Sequence, residues 1–411
     1  MRRFIVELRA LVNCLTHTFG GIGRAVKRLK SRPKRAALRP GCLGFGPKRL
    51  HMYTVNPGIT MPPHPLSHST HARSHGLLSG DILPAIPVME TGRDFPLQTL
   101  LHHKAKAHAL LDVASGRYPV RLLTSLDKVS RAWLKRWDNA HLAEIDAIAR
   151  VLDRPGAYFF SVNYEWGCTC RAAPSPDRSS ARLIRVLDWM TPGLGRNLVA
   201  ARVSGASAGP FVLVTWPGYT GVLQVMAPGR FSAALNQAPM RSPVGMFYVD
   251  WAANKRRVWT MPHPTPGHLL RMVSEEAHTF SEARRLLIER PISTPAIFTL
   301  AGINPNETCV IERTEHEAKV RDGAHVAANH WEAAGWTGHP RGHDSAGRAR
   351  IMSGIAPELD SRFPWLKAPI LNSHTRLVMV ADARLGQLVA QGYESTGPAT
   401  EPLEIAWRMA A

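Results

Sequence analysis

Two kinds of hydrophobic periodicity divide this chain near residue 156, and the division restricts the folds open to it. Apolar residues recur at helical spacing in 97–114 and in about 121–152, and Arg154-Pro155-Gly156 ends the pattern. Beyond it, short strand-like runs alternate with turns around two more predicted helices, at 266–276 and 280–290. This order predicts an α+β layered domain. The predicted strands are Tyr158–Tyr164, Arg182–Asp188, Leu198–Val203, Phe211–Trp216, Gly221–Met226, Phe231–Leu235, Ala296–Ile303, Thr308–Glu312, His325–Ala328, Arg376–Asp382 and Gly386–Ala390.

Length and composition describe an ordinary globular protein with a large core. The chain has 411 residues, of which 45% are hydrophobic and 20% charged, so a wholly disordered chain is excluded. No apolar run approaches the roughly 18 residues that a membrane-spanning helix needs. Five cysteines are an odd number in a long chain, so we expect reduced thiols rather than a disulfide framework.

The net charge of +20 is concentrated at the N-terminus. Residues 1–50 contain 13 Lys and Arg and one acid, Glu7, which leaves +8 for the rest of the chain. Because the excess lies in one arm, nucleic acid is not expected as a partner. Residues 4–12 suit an amphipathic helix, and with the basic run 24–39 the arm could contact an anionic membrane. A solvated, partly disordered tail is the alternative.

The N-terminal region also bears on location and on metal binding. Glu7 and Arg9 interrupt the apolar stretch that a secretory signal requires, so a cytoplasmic or peripheral membrane location is expected. Residues 40–96 are rich in Pro, Gly, Ser and His, which is typical of a linker. Its histidines lack regular ligand spacing and a nearby Cys or carboxylate, so neither a metal site nor a cofactor is expected. They are His64, His68, His71 and His75.

The most informative stretch is the run from Val162 to Cys170, in which a strand-like segment ends in Gly167-Cys168-Thr169. Cys168 and Cys170 would point to the same face of a strand. They suggest a metal pair, but no second Cys or His pair completes four ligands. The alternative to a metal pair is that both cysteines are small residues buried in the core.

A rival motif, Gly205-Ala206-Ser207-Ala208-Gly209, has the pattern of a nucleophile elbow. The residues that follow it favour a strand where the elbow requires a helix, so we expect a hairpin turn.

Further short motifs follow in a fixed order, and together they carry a family resemblance. Their order and spacing resemble the acid ceramidase and N-acylethanolamine-hydrolysing acid amidase family and, more distantly, the choloylglycine hydrolases and penicillin V acylases. All of these are N-terminal-nucleophile hydrolases. The resemblance covers roughly residues 120–390. The motifs are Gly218-Tyr219-Thr220-Gly221, Ala227-Pro228-Gly229-Arg230, Gly302-Ile303-Asn304, Thr308-Cys309-Val310, Ala327-Ala328-Asn329-His330-Trp331 and Asp344-Ser345-Ala346-Gly347-Arg348.

The resemblance implies a fold and a proenzyme. The fold would be a four-layer αββα sandwich. The chain would cut its own Gly167–Cys168 peptide bond, so that the α-amino group of Cys168 becomes the general base for its thiol. Residues 1–95 would then be the arm and linker, 96–167 a helical pro-segment, and 168–411 the sandwich. The two fragments would stay together as a heterodimer.

The resemblance also implies roles for other residues. Asp188 would orient the α-amino group, and Arg185 would hold Asp188 and favour the thiolate. Asn329 would donate to the oxyanion, and Asn236 would be a second donor or a substrate contact. Arg348 matches an arginine that supports the nucleophile, with Arg350 as the alternative. Arg185 and Asp188 lie one residue farther from Cys168 than is usual in the family, and each alone is typical of a turn cap or a surface ion pair.

The expected function is hydrolysis of linear amide bonds in N-acyl lipids of the ceramide or N-acylethanolamine type by a thiol nucleophile. Two alternatives stay open at this stage. One is a small-molecule amidase or acyltransferase of the same superfamily, acting on penicillin-like or bile-salt-like amides. The other is a non-catalytic basic protein that associates with membrane or nucleic acid.

Overall fold

Two β-sheets packed face to face form the centre of the structure. The computed structural model of the chain describes residues 83–117, 119–162 and 166–407. The helices are α1 (Phe95–His102), α2 (Lys104–Arg117), α3 (Val120–Arg136), α4 (Leu142–Leu152), α5 (Ala157–Val162), α6 (Phe247–Val258), α7 (Pro266–Glu276), α8 (Phe280–Glu289) and α9 (Ser345–Ser353). The strands are β1 (Val88–Thr91), β2 (Gly167–Pro174), β3 (Ala181–Asp188), β4 (Val199–Val203), β5 (Phe211–Thr215), β6 (Gln224–Ala227), β7 (Phe231–Gln237), β8 (Ala296–Ala301), β9 (Thr308–Arg313), β10 (Ala318–Asp322), β11 (His325–Ala327), β12 (Thr375–Asp382), β13 (Gln387–Glu394), β14 (Gly397–Pro398) and β15 (Leu403–Ala406).

The two sheets are almost entirely antiparallel. In the first, eight strands follow the order β1-β4-β5-β6-β7-β8-β9-β10, and only the β1–β4 pair is parallel. In the second, the order is β11-β2-β3-β12-β13-β14, with β15 also paired to β13. Strands β2 and β3 contact β7 and β8 of the opposite sheet. Because both faces of these strands are covered, nearly every residue in them is buried.

Helices cover the outer face of each sheet. Helices α7 and α8 pack on β7, β8 and β9, while α9 packs on β2 and β11. Side-chain alternation divides β3 between two cores. Leu183 and Leu187 lie in the core between the sheets, whereas Ile184 and Val186 lie in the second core with Met352 of α9. The α+β class and the αββα layering predicted from the sequence are therefore confirmed.

Most predicted elements appear in the structure, and the exceptions have physical reasons. The predicted strand Tyr158–Tyr164 is wrong: residues Ala157–Val162 form helix α5. A short apolar run fits a buried helical turn as well as a strand. The strand-like run predicted to end at Thr169 instead begins at Gly167. Helices α6 and α9 were not predicted, and β1 lies in a stretch expected to be linker.

The predictions for the N-terminal arm lie outside the described residues. They comprise the amphipathic segment 4–12, the basic run 24–39 and the four histidines of the linker. Within the part of the chain that the structure describes, no helix combines the length and apolar character needed to cross a membrane.

Arg271 joins the helical segment before residue 163 to the sandwich. Its buried guanidinium donates to Glu275 Oε1 at 3.0 Å, one turn along α7, and to Glu144 Oε2 of α4 at 2.5 Å. It also donates to the backbone carbonyls of Thr220 at 3.1 Å and Arg93 at 2.6 Å. A buried charge needs this many partners to offset its desolvation. Arg271 therefore fixes α4 against α7 and the loop after β5.

Two buried histidines lie beside this arginine and face each other across the same junction. The rings of His141 and His268 are 4.7 Å apart, and His268 Nε2 lies 3.0 Å from Thr220 Oγ1. Burial, with Arg271 nearby, lowers the pKa of His268 to about 3. Burial lowers the pKa of His141 well below its usual range, and repulsion from His268 when protonated, from Arg271 and from Arg93 acts in the same direction. Both rings are therefore neutral at pH 7 and stay so well into the acid range.

We expect acidification to destabilise the fold through this pair. Between about pH 6.5 and the depressed native pKa of each histidine, the unfolded chain binds protons on these histidines and the native chain does not. The native pKa is depressed, so the free energy of unfolding falls as pH falls, by up to about 1.4 kcal/mol per pH unit for each histidine. His268→Gln, which can keep a bond to Thr220, should flatten the slope between pH 7 and pH 5, measured by urea unfolding. The exposed His316→Gln should leave the slope unchanged, and an unaltered slope in His268→Gln would contradict this account.

Candidate active site

The Gly167–Cys168 peptide begins a central strand of the second sheet. Strand β2 pairs with β3 so that Gly167 lies opposite Asp188, Cys168 opposite Leu187 and Cys170 opposite Arg185. Cys168 and Cys170 are fully buried in the core between the sheets, on one face of β2 as the alternation predicts. The Cys168 thiol lies 3.9 Å from the Leu235 carbonyl of β7, in the opposite sheet.

The backbone of Cys168 is held by two side chains. Its N–H donates to Asn329 Oδ1 at 2.6 Å, and its carbonyl accepts from Arg348 Nη1 at 2.7 Å. Arg348 Nη1 also donates to Thr169 Oγ1 at 2.6 Å. Both backbone polar groups of Cys168, the residue after the predicted cut, are therefore bound by side chains that are distant in sequence.

Asn329 follows β11 and is itself fully constrained. Its backbone N–H donates to Ser345 Oγ at 2.8 Å, and its Nδ2 donates to the Gln237 carbonyl at 2.7 Å. Its Oδ1 also accepts from Arg348 Nη2 at 3.1 Å. In the intact chain the carboxamide oxygen thus faces the Cys168 amide, while one N–H of Nδ2 donates to a backbone carbonyl. The oxyanion role of Asn329 stays a prediction, and it would use the second N–H of Nδ2.

Arg185 does not hold Asp188 as the sequence predicted. It donates to the Leu235 carbonyl at 2.9 Å, to Asn236 Oδ1 at 2.7 Å and to Cys170 Sγ at 3.2 Å. Residues three apart in a strand point to opposite faces, so Arg185 lies between the sheets and Asp188 on the α9 side. Asn236 completes this inner group: its Oδ1 also accepts from the Cys170 thiol at 2.9 Å, and its Nδ2 donates to the carbonyls of Ala327 and Ala328 at 3.0 and 3.1 Å.

Asp188 pairs with Arg348 instead. Its Oδ1 accepts from Thr375 Oγ1 at 2.9 Å, and its Oδ2 lies 3.3 Å from Arg348 Nη1 in an ion pair. The angle of that approach is not that of a hydrogen bond, so Oδ2 has no hydrogen-bond partner. Asp188 also lies against Gly167, where a Cβ would come within 3.4 Å of the Asp188 Cβ. The carboxylate is therefore next to the peptide bond predicted to break.

Arg348 and Arg350, the two arginines considered for the role of supporting the nucleophile, differ in burial. Asp344 caps the N-terminus of α9 by accepting from the Gly347 N–H, and this places Arg348 on the inner face of the helix, fully buried. Arg350 is exposed. Arg348 is also the residue that contacts Cys168, Thr169, Asp188 and Asn329.

The electrostatics of the intact site keep the thiols protonated. Burial raises the pKa of the Cys168 thiol far above its usual range, and the positive charges of Arg185 and Arg348 oppose that shift only in part. Burial likewise raises the pKa of Cys170. A thiol in this state is a weak nucleophile, so a base close to Cys168 is needed to activate it.

Several residues that build the site were not among the predicted site residues. Thr375 reaches Asp188 from β12, while Ser345 and Gln237 orient Asn329. Gly342 has a φ of 71°, and its Cβ would lie 2.9 Å from Arg348 Nη2 and 3.3 Å from the Gly167 Cα. Only glycine allows this approach of the loop before α9 to the start of β2. Thr375 lies 187 residues from Asp188 and Gln237 lies 92 residues from Asn329, so no local pattern marks these contacts.

Two cavities open near the site. One, called here the α6 cavity, lies between Asn236 and Gln237 on one side and Trp251 and Val258 of α6 on the other. The second, called here the aromatic cavity, lies between helices α2, α4 and α5 and the loops after β3 and β5. Its lining includes Leu110, Ile148, Phe160, Trp189, Trp216 and Tyr219. Ring contacts connect it to the site, from Trp166 to Trp189 at 5.1 Å and on to Trp216 at 5.5 Å.

The motif around Ser207 that resembles a nucleophile elbow lies in a hairpin. Ser207 lies in the connection between β4 and β5 and donates to the Glu275 carbonyl at 2.9 Å, so the elbow-like motif is part of a hairpin as expected. Among the described residues, no group of three or more His, Cys, Asp or Glu side chains is placed to hold a metal ion.

Comparisons with known proteins give local similarity. No family model matches the chain. Human acid ceramidase is 32% identical over 108 residues, which is 26% of this chain and 26% of that protein. The Bos taurus acid ceramidase is 30% identical over 109 residues, again 26% of each chain. The chain thus spans about a quarter of the length of the curated relatives it matches.

Solved structures with a similar arrangement include two hydrolases. A Caenorhabditis elegans N-acylethanolamine-hydrolyzing acid amidase ortholog matches with a TM-score of 0.43 and 18% identity, covering 58% of this chain and 100% of that one. A mutant of the conjugated bile acid hydrolase from Clostridium perfringens matches with a TM-score of 0.35 and 11% identity, covering 58% of this chain and 92% of that one. The resemblance to the acid ceramidase group of N-terminal-nucleophile hydrolases, predicted from the motifs, is confirmed by the acid ceramidase matches over the aligned quarter of the chain.

Proposed function

We propose that the chain is a cysteine amidohydrolase that cleaves linear amide bonds of N-acyl lipids after cutting itself at Gly167–Cys168. One observation supports this most strongly. The amide N–H of Cys168 is bound by Asn329, its carbonyl by Arg348, and Asp188 lies against Gly167 on the other strand. A structural cysteine has no need of three buried polar side chains around its peptide group.

The self-cut requires attack of the Cys168 sulfur on the Gly167 carbonyl carbon. The tetrahedral intermediate collapses with loss of the C–N bond, and the thiol proton passes to the departing nitrogen, which leaves a thioester on sulfur and a free α-amine on Cys168. Water then hydrolyses the thioester to the Gly167 carboxylate and the thiol. Asn329 Oδ1, which accepts from the amide before the cut, would accept from the new α-ammonium group after it, and Asp188 would balance its charge.

Turnover repeats the chemistry on a bound amide. The α-amine has a pKa near 8 when unperturbed, so it can take the proton of the thiol as the thiolate attacks the substrate carbonyl. The resulting α-ammonium returns that proton to the leaving amine. An acyl thioester remains, which water hydrolyses to the fatty acid and the free thiol. Arg185, 3.2 Å from Cys170 Sγ on the inner face, would lower the cost of negative charge between the sheets.

The substrate class follows from the relatives and from the aromatic cavity. The matched proteins are named acid ceramidases, and ceramide is an amide of a fatty acid. The aromatic cavity is lined mainly by aliphatic and aromatic side chains, which suits an acyl chain. It lies partly in the helical residues 96–167 and partly in 168–411. In this proposal the two segments are the fragments of one heterodimer, joined by the cavity and by Arg271.

Gel analysis of the purified protein tests the proposal. Under reducing, mildly acidic conditions the chain should convert to fragments 1–167 and 168–411, and N-terminal sequencing of the larger should begin at Cys168. Activity on a panel of N-acyl amides should rise in step with the cut, because only the free α-amine can serve as base. A chain that stays intact and hydrolyses these amides would contradict the mechanism, and a cut chain inactive on every lipid amide would contradict the substrate class.

A further inference from the structure

The α6 cavity lies beside the scissile peptide and has no part in the proposed function. Leu235, whose carbonyl oxygen is 3.9 Å from the Cys168 thiol, borders this cavity. Trp166, two residues before Cys168, borders it as well, and its backbone N–H donates at 2.9 Å to the side-chain oxygen of Gln237, another residue of the lining. A group bound in the α6 cavity would therefore lie close to the nucleophile.

Trp166 also connects the α6 cavity to the aromatic cavity. Its ring lies 5.1 Å from that of Trp189, which lines the aromatic cavity. An amide substrate has one half on each side of the bond that breaks, and the site has a cavity for each half. The aromatic cavity has a volume of about 190 Å³ and the α6 cavity a volume of about 70 Å³. Since the larger cavity suits the acyl chain, the smaller one is left for the amine half.

A buried carboxylate and two arginines form a charged group at the α6 cavity. The Glu315 side chain is fully buried, and it accepts from Arg257 Nε at 2.8 Å through Oε1 and from Arg241 through Oε2. Glu315 and Arg257 border the cavity, and Glu315 is the one acid among the described residues of the lining. Because two guanidinium groups share one carboxylate, this group has an excess of positive charge.

Arg257 can offer that charge to a ligand. Its side chain is 38% exposed, and its Nε is committed to Glu315. Neither of its Nη atoms has a hydrogen-bond partner within the part of the chain that the structure describes. A guanidinium that is held through Nε presents its two Nη atoms as a fork, and this fork matches the two oxygens of a carboxylate.

Two neutral amine halves use the α6 cavity poorly. The sphingoid base of a ceramide has a second long alkyl chain, which exceeds a cavity of about 70 Å³. Ethanolamine is small enough, but its hydroxyl carries no charge to pair with Arg257. An amino acid is small as well, and its carboxylate would form charge-assisted hydrogen bonds with the guanidinium.

We propose that the α6 cavity binds the amine half of the substrate and selects N-acyl amino acids, with Arg257 as the partner of their carboxylate. This inference rests on the proposed amidase function and adds the class of amine to it. Hydrolysis adds water across the C–N bond and releases a fatty acid and a free amino acid. Glu315 is then a positioning residue, because it acts on the substrate through Arg257.

Pairs of amides that differ in one group test this proposal. The self-cut full chain would be assayed at about pH 6, where carboxylates are ionised. The substrates are the N-dodecanoyl amides of glycine, β-alanine and γ-aminobutyrate, each beside the amide of the amino alcohol of the same length. At least one acid should exceed its alcohol in kcat/KM by about tenfold or more, as expected for a charge-assisted contact. The three lengths cover different distances between the nucleophile and Arg257.

Arg257→Gln should lower the ratio of these kcat/KM values by about tenfold or more, mainly through a higher KM for the acid. A ratio between two substrates of one protein is independent of the amount of folded enzyme. The matched control is Arg256→Gln, because Arg256 is the preceding residue of α6, is exposed and lies outside the lining. This control should keep the ratio of the natural chain.

The outcomes separate this inference from the proposed function. If the alcohols are hydrolysed with a kcat/KM equal to or above that of every matched acid, the inference is overturned and the amidase function stands. A preference for acids that persists in Arg257→Gln would also overturn the inference, since the carboxylate would then bind elsewhere. A self-cut chain that hydrolyses neither series would contradict the proposed function and the inference together.

Discussion

Cys168→Ala is expected to leave the chain uncut and inactive on every amide. The substitution removes the sulfur that attacks Gly167 and the thiol that carries the acyl group, while the contacts of Asn329 and Arg348 with the backbone of residue 168 remain. The loss of turnover should reach the detection limit, because no second nucleophile has an α-amine base. The measurement is the gel conversion to fragments 1–167 and 168–411, with product release from an N-acyl amide.

Cys170→Ala is the matched control, since both thiols are fully buried on one face of β2. It removes the contacts of Cys170 Sγ with Arg185 and Asn236, but Arg185 keeps its bonds to the Leu235 carbonyl and Asn236. The variant should still be cut and should retain turnover, with a loss of stability of about 1 kcal/mol. If Cys170→Ala stays intact while Cys168→Ala is cut, the nucleophile is Cys170 and the scissile bond has been misplaced.

Arg348→Met should be the most damaging substitution outside the cysteines. The buried guanidinium donates to the carbonyls of Cys168 and His343, each at 2.7 Å, and pairs with Asp188 at 3.3 Å. Its removal leaves the Asp188 carboxylate buried with Thr375 as its remaining partner. Breaking such a pair costs about 3–5 kcal/mol, so urea unfolding should shift to a much lower midpoint and the self-cut should fail.

Arg350→Met provides the comparison on the same helix. Arg350 lies two residues farther along α9 and is exposed, so its loss should change stability by less than about 0.5 kcal/mol and leave the cut intact. To separate stability from chemistry, Arg348→Lys keeps the charge but not the forked donors. A fully folded Arg348→Met that cuts at the natural rate would show that Arg348 has no part in positioning Cys168.

Local signals in the sequence predicted the α+β class and most of the elements, whereas the αββα layering was implied by the family resemblance. Helix α7 was predicted at its observed bounds because Thr265 caps it and Pro266 begins it, and both are short-range signals. Helix α5 was missed because its apolar residues pack into the core as a single short helix, which periodicity cannot distinguish from a buried strand. Helix α6 was missed because its first turn exposes Phe247 and Val249 and its last turn is basic, a pattern unlike that of an amphipathic core helix.

The candidate site was predicted as a set of residues but not as a set of contacts. Motif order brought Cys168, Arg185, Asp188, Asn236, Asn329 and Arg348 into one proposal, and the structure places them around β2 and β3. The predicted contact between Arg185 and Asp188 is wrong because residues three apart in a strand point to opposite faces of the sheet. This alternation could have been applied to the sequence alone. The role of Thr375 depends on the register of β12 against β3, which only the assembled sheet defines.

Arg271 would hold the two fragments together after the proposed cut. It binds Glu144, which would belong to the first fragment, and Glu275, which would belong to the second, so one buried cation bridges the two polypeptides. The peptide bond at Gly167 then contributes little to their association. Fragments 1–167 and 168–411 should behave as a complementing pair that co-elutes in native buffer and separates only in denaturant. Arg271→Met should let the cut protein dissociate while the uncut chain holds together.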